Sequence, residues 1–225
     1  MGAVLNGAIG DLLPSALAVA LSPIPVVAIV GVLGGRRAST TGPAFAAGWI
    51  AGLLAVSVAV VLLVDGVGDP GGDDTGLDWW KIAIGLLFLA MAAKQWTKRP
   101  KRGEAPAEPS WMATLDRASP GRAAVLGAAL SAANPKNLAL TLTAAASIAE
   151  ADLGTTDTAL AVAAFVAIGS LTVAGSVLFH LVAGERAARP LAEVKQFMAD
   201  NNAVIMTVVL LLLGAKLLGD GLAGL

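Results

Sequence analysis

One lysine of this chain lies inside a long apolar stretch, where a charged side chain is rare. Lys136 follows Asn134 and Pro135, precedes Asn137, and stands about halfway along the apolar run 122–149. A lysine at the bilayer centre costs about 2.5–3.5 kcal/mol on insertion scales, so a buried partner normally offsets it. The candidate acids all lie near the ends of apolar runs: Asp11, Asp65, Glu185 and Asp220. Lys136 is therefore a candidate for binding an anionic group; a neutral, water-facing or otherwise paired lysine is the alternative.

Prolines interrupt two of the apolar stretches at related places. Pro23 and Pro25 lie in the first stretch, and Pro135 lies in the fourth. A proline inside a helix removes one N–H donor and displaces the carbonyl four residues earlier, which predicts free carbonyls at Val19, Leu21 and Ser131. Free carbonyls cannot face lipid and must line protein or a wet cavity. A structural kink is the alternative, but the pairing favours a substrate-binding site formed by Ser22, Pro23, Pro25, Asn134, Pro135, Lys136 and Asn137.

The composition points to a membrane protein. Hydrophobic residues make up 56% of the 225 residues and charged residues 14%, whereas soluble proteins carry about 25% charged residues. The absence of cysteine and the single histidine, His180, argue against a thiolate or histidine metal site and a cysteine nucleophile. We expect no enzymatic activity, because no acid/base pair or nucleophile lies at a usable depth. We also expect no cofactor, and no nucleic-acid partner, because the basic residues are few and lie between hydrophobic spans.

Six apolar stretches are long enough to cross a bilayer as helices, since about 20 apolar residues span its hydrocarbon core. The sequence therefore predicts an all-α integral membrane protein. The predicted spans lie near Leu12–Leu33, Pro43–Val64, Trp79–Trp96, Arg122–Ala149, Thr158–Ala183 and Ala203–Leu222.

Basic and acidic connections alternate along the chain. Lysine and arginine gather after the first, third and fifth spans, whereas Asp65–Asp78 and Glu150–Asp157 contain only acidic charges. The positive-inside rule places the basic connections in the cytoplasm. We therefore predict a multi-pass protein of the inner (plasma) membrane with both termini on the extracytoplasmic side.

The two interruptions suggest an internal repeat. Pro23 and Pro135 stand 112 positions apart (135 minus 23), about half the chain length. Because each half has three spans, the halves must cross the membrane in opposite directions, as in inverted-repeat transporters. The predicted organisation is a first three-helix repeat over 1–97, a cytoplasmic linker over 98–121 and a second repeat over 122–225.

Other patterns predict smaller features. Rows of small residues, Gly48 with Gly52 and Gly127 with Ser131, allow close contact between helices. Lys216 and Asp220 have the spacing of an ion pair within one helix. The segment Pro190–Met198 has apolar residues at helical spacing, which favours an interfacial helix.

The chain resembles the LysE superfamily of exporters, and most closely its GAP-like branch, the peptidoglycolipid- or sulfolipid-addressing proteins of actinobacteria. The likeness rests on Leu21–Pro25, where amino-acid exporters of the superfamily tend to show Pro-Gly-Pro, and on Gly34-Gly35-Arg36-Arg37. It also rests on Gly48–Gly52 and on Asn134-Pro135-Lys136. Ile24 replaces the glycine of the amino-acid exporters, which favours the addressing branch. The resemblance implies a LysE-like fold and movement of envelope glycolipids, or assistance to a larger lipid exporter.

The leading functional prediction is a transporter or flippase that exports an anionic cell-envelope lipid or lipid-linked sugar. One alternative is export of amino acids or other small polar metabolites. Another is a non-transporting accessory subunit of a larger exporter. A homodimer and a larger exporter complex both stay open, and no ATP-binding motif is present, so the energy source is open as well.

Overall fold

The computed structural model describes residues 2–67, 79–97, 99, 118–151 and 153–222. Over these ranges all regular elements are helical, which confirms the all-α prediction. The helices are α1 (Gly2–Ala20), α2 (Pro23–Leu33), α3 (Ala38–Val67), α4 (Trp79–Thr97), α5 (Pro120–Ala132), α6 (Pro135–Glu150), α7 (Thr155–Gly169), α8 (Leu171–Ala183), α9 (Ala188–Asp200) and α10 (Asn202–Leu222). A short 3-10 turn, Gly184–Ala187, joins α8 to α9.

The helices follow the predicted spans, with three interruptions. The predicted breaks before Pro23 and Pro135 separate α1 from α2 and α5 from α6. A further break, which the sequence does not predict, divides the fifth stretch between α7 and α8. The helix axis turns by 50° between α1 and α2 and by 59° after α7. Most of the predicted linker 98–121 and of the acidic connection Asp65–Asp78 lies outside the described residues.

Two helices, α3 over Ala38–Leu63 and α10 over Asn202–Leu222, are long and apolar enough to cross a membrane as single elements. Two bent pairs, Val4–Ala20 with Pro23–Leu33 and Thr155–Gly169 with Leu171–Asp200, also pass this test when each is taken as one span, which raises the number to at most four. Large apolar side chains point outward, with Val125 70% and Val182 87% exposed. Such an apolar exterior is expected where lipid is the solvent. The chain is therefore a helical membrane protein.

The structure forms two compact units. The first contains α1, α2, α3 as far as Gly66, and α5 to α9. Within it, α3 and α5 touch through backbone atoms. A Cβ on Gly48 would overlap the carbonyl oxygen of Ala124, and one on Gly127 would overlap that of Phe45. The predicted rows of small residues thus form the contact between these two helices.

The second unit consists of α4 and α10. These helices also meet at glycines: a Cβ on Gly85 would lie 3.1 Å from the Gly214 oxygen, and a Cβ on Gly214 would lie 3.0 Å from the Gly85 oxygen. The predicted ion pair within α10 is present, with Lys216 Nζ 2.5 Å from Asp220 Oδ2. Each unit therefore combines helices from both halves of the chain.

Candidate functional site

The two proline breaks have the same local structure. Ser22 and Asn134 each precede a helix that begins with proline, and both are extended, with φ and ψ of −69° and 114° for Ser22 and −74° and 117° for Asn134. Proline disfavours the helical conformation in the preceding residue and suits the first position of the next helix. The covalent geometry of Pro23 and Pro135 thus accounts for where α2 and α6 start.

Lys136 connects the two breaks. Its ammonium donates to the backbone oxygen of Ala18 at 2.9 Å and to the hydroxyl of Ser22 at 2.7 Å. Lys136 stands in the first turn of α6, whereas Ala18 and Ser22 stand at the end of α1 and the start of α2. The side chain is buried, with only 7% of the residue exposed. The structure therefore brings the predicted lysine and one predicted break into direct contact.

A chain of hydrogen bonds continues from Lys136 through the site. The Ser22 hydroxyl, which accepts from Lys136, donates to Oδ1 of Asn137 at 3.3 Å. The amide Nδ2 of Asn137 then donates to the backbone oxygen of Leu130 on α5 at 3.0 Å. Ser22 and Asn137 are both buried. This network holds α1, α2, α5 and α6 together where the helices are interrupted.

Side chains satisfy the carbonyls that the breaks leave free. A continuous helix would bond the oxygens of Ala18 and Ala20 to N–H groups four residues later. Instead, Ala18 accepts from Lys136 and Ala20 accepts from the Thr172 hydroxyl at 2.6 Å. The predicted free carbonyl at Val19 accepts from the Ser22 N–H at 3.2 Å. The break thus frees neighbouring carbonyls rather than that of Val19, because the last turn of α1 tightens.

The charge of Lys136 is not matched by a carboxylate among the described residues. Its two protein partners there are a carbonyl and a hydroxyl. An ammonium carries three N–H donors. In the protonated side chain two of these donors are used by Ala18 and Ser22, which leaves the third N–H without a partner among the described residues.

The remaining predicted site residues lie around this network. Pro23 and Pro25 are buried in the first turn of α2. Pro135 begins α6, and Asn134 caps that helix by accepting from the Lys136 backbone N–H at 3.1 Å. These residues set the shape of the breaks, while Ser22, Lys136 and Asn137 supply the polar side chains. Their role in substrate binding stays a prediction.

Three residues of the site carried no signal in the sequence. Ala18 and Ala20 contribute only backbone oxygens, which any residue possesses, and Thr172 lies 152 positions from its partner Ala20. The hydroxyl of a serine or threonine in a membrane helix commonly bonds within its own helix. The residue type of Thr172 therefore did not indicate a contact with a distant part of the chain. Only the folded arrangement of α1, α6 and α8 identifies them.

The fold and the buried network define a helical membrane protein with a buried lysine at the meeting point of two interrupted helices. The chain belongs to the family of Sap, the sulfolipid-1-addressing protein, whose family model matches residues 12–223. The match confirms the resemblance to the addressing proteins and includes every candidate site residue. Comparisons with curated proteins and with solved structures found no match.

Proposed function

We propose that this protein exports an anionic cell-envelope lipid or lipid-linked sugar across the inner membrane, and that Lys136 binds the anionic headgroup. One observation carries the proposal. A buried ammonium lies at the junction of two proline-interrupted helices, bonded to Ala18 and Ser22 and without a carboxylate partner among the described residues. A charge held in this way is costly, so an ionisable residue inside a membrane segment usually marks a functional site.

The chemistry of the centre favours an oxyanion. Lys136 offers a charge and an uncommitted N–H donor, and hydrogen bonds from charged donors to anionic oxygens are among the stronger ones in proteins. Sulfate, phosphate and carboxylate groups present such oxygens. Non-helical backbone at membrane depth is tolerated where it lines a cavity or is buried in protein, and interrupted helices form the substrate sites of many secondary transporters.

The family description favours a lipid as cargo. It names a sulfolipid, and a sulfate ester carries a negative charge at neutral pH. A sulfated glycolipid therefore combines the anionic headgroup that Lys136 would bind with acyl chains suited to a lipid-exposed path. The outward-facing apolar side chains of the helices are compatible with such a path.

A six-span inverted repeat is the architecture that we propose for this activity. The first half would contribute α1–α2, α3 and α4, and the second half α5–α6, α7–α8 and α10. Two features support this arrangement: the caps Ser22 and Asn134 match in conformation, and the last helix of each half pairs with the other in the second unit. The positive-inside rule would then place both termini outside the cytoplasm.

A reconstitution experiment tests the proposal. The purified protein is placed in phosphatidylcholine vesicles that contain sulfatide, a sulfated glycolipid, with a fluorescent group on its acyl chain. A membrane-impermeant quencher then reports how fast sulfatide moves between leaflets. Wild-type protein should accelerate this movement, and Lys136→Met should abolish the acceleration, because methionine keeps the length of the side chain without its charge.

Lys216→Met is the matched control. Lys216 also lies in an apolar helix, but it is 35% exposed and paired with Asp220, so its loss should leave transport unchanged. Galactosylceramide, which lacks the sulfate, should move slowly in all samples. Normal sulfatide movement with Lys136→Met would remove the lysine from the mechanism. No movement with the wild-type protein alone would favour an accessory role in a larger exporter.

A further inference from the structure

The break between α7 and α8 lies against the same end of α1 that binds Lys136. A Cβ on Gly169 would lie 3.3 Å from Val19 Cγ1 and 3.5 Å from Leu53 Cδ1. Three residues after Gly169, Thr172 donates to the Ala20 oxygen. Val19 and Ala20 directly follow Ala18, the acceptor of Lys136. The third break is therefore part of the same centre as the two proline breaks.

The bend at this break has a local cause. It contains no proline, and the helix axis turns by 59° at the pair Gly169-Ser170. Glycine–serine pairs are a recurrent cause of sharp helix kinks. The backbone of Ser170 is satisfied: its N–H donates to Val166 at 3.0 Å, and its oxygen accepts from Ala174 at 2.7 Å. The hydrogen bonding of the Ser170 side chain is a separate matter.

The hydroxyl of Ser170 is buried without a hydrogen-bond partner among the described residues. The residue is 3% exposed. Buried polar groups are nearly always hydrogen-bonded, and a group that is not requires an explanation. Three other buried hydroxyls, those of Ser57, Thr141 and Thr207, bond to a carbonyl four residues earlier in their own helix. The Ser170 hydroxyl lacks such a bond. Of the three interruptions within the predicted spans, its break is the one that contains no proline.

We infer that Ser170 is a further substrate-binding residue, whose hydroxyl donates a hydrogen bond to an oxygen of the polar headgroup beside Lys136. The inference rests on the proposed function, since the headgroup is the one that Lys136 binds. Lys136 would neutralise the charge of the headgroup, and Ser170 would add a directional contact from the break between α7 and α8, in the same half of the chain. The α7–α8 break would thus position a binding group, as the proline breaks do.

The test measures how sulfatide transport depends on sulfatide content in the vesicle assay. Ser170→Ala removes the hydroxyl and should raise the sulfatide content needed for half-maximal rate by roughly ten-fold, as expected for loss of one hydrogen bond to a charged group. Ser57→Ala is the matched control, because Ser57 is equally buried but bonds to Leu53 within its own helix. It should leave the half-maximal content unchanged.

A half-maximal content for Ser170→Ala equal to that of Ser57→Ala would overturn the inference. Lys136→Met, measured beside them, separates the two claims. If Lys136→Met loses transport while Ser170→Ala keeps the wild-type half-maximal sulfatide content, only the role of Ser170 is wrong. If Lys136→Met transports sulfatide normally, the proposed function is wrong. If Ser170→Ala fails to fold, an experimental structure of the wild-type protein with bound sulfatide tests whether Ser170 contacts the headgroup. A headgroup oxygen within hydrogen-bond distance of Ser170 Oγ supports the inference, and its absence there overturns it.

Discussion

At the scale of single residues, side chains at the helix breaks supply hydrogen-bond donors to backbone carbonyls, and one of these side chains is a lysine. Breaking α1 leaves the carbonyls of Ala18 and Ala20 without their helical donors, and side chains from α6 and α8 replace those donors. Thr172 does so as a neutral group. Lys136 does so with a side chain that can carry a positive charge, which a carbonyl does not require. This difference is why we propose Lys136, and not Thr172, as the residue that binds an anionic headgroup.

Thr172→Val tests the backbone account. Valine has nearly the same shape but no hydroxyl, so the Ala20 oxygen would be left buried without its donor. We expect a loss of about 1–3 kcal/mol in stability, seen as a lower midpoint of thermal unfolding in detergent.

Thr143→Val serves as the control for this substitution. The Thr143 hydroxyl bonds to Ala139 within α6, and that carbonyl keeps its helical N–H donor after the change. Equal stability of the two variants would show that the Thr172 contact is dispensable.

At the scale of helices, the sequence predicted some features and not others, for physical reasons. Proline acts locally, so the breaks before Pro23 and Pro135 could be predicted from the sequence, although residue type alone does not suffice, because Pro14 and Pro43 lie inside continuous helices. Gly169 and Ser170 do not break helices reliably, so residue type alone did not predict the third break. Lys136 could be recognised as unusual, but its partners could not, because they lie more than 110 positions away.

The contact between α3 and α5 gives a prediction at this scale. Gly127→Ala places a Cβ where the Phe45 oxygen lies, so the helices must separate. Overpacking of this kind typically costs about 1–3 kcal/mol. Gly121→Ala, in the same helix, meets nothing within 4 Å and should be neutral or slightly stabilising.

Thermal unfolding of both variants in detergent measures the difference. If Gly127→Ala were as stable as Gly121→Ala, the close approach of the two backbones would be wrong.

At the scale of the whole molecule, the charges of the connections and the proposed inverted repeat predict the same orientation. The connection between α2 and α3 is basic, and the one between α6 and α7 is acidic. The positive-inside rule places them on opposite sides of the membrane. An inverted repeat requires the same result, because the two halves must cross the membrane in opposite directions.

Labelling of single cysteines tests this orientation without background, because the native chain contains no cysteine. Ser39 and Thr156 are both exposed at helix starts. A membrane-impermeant maleimide applied to intact cells should label Thr156→Cys and should label Ser39→Cys only after the membrane is opened. Labelling of both positions from one side would contradict the proposed topology.

The most direct measurement of the central claim is an experimental structure of the wild-type protein in a lipid nanodisc that contains sulfatide. The account predicts headgroup density within hydrogen-bond distance of Lys136 Nζ, between the ends of the interrupted helices. Lys136 bonded only to Ala18 and Ser22, with sulfatide bound elsewhere on the protein, would contradict it.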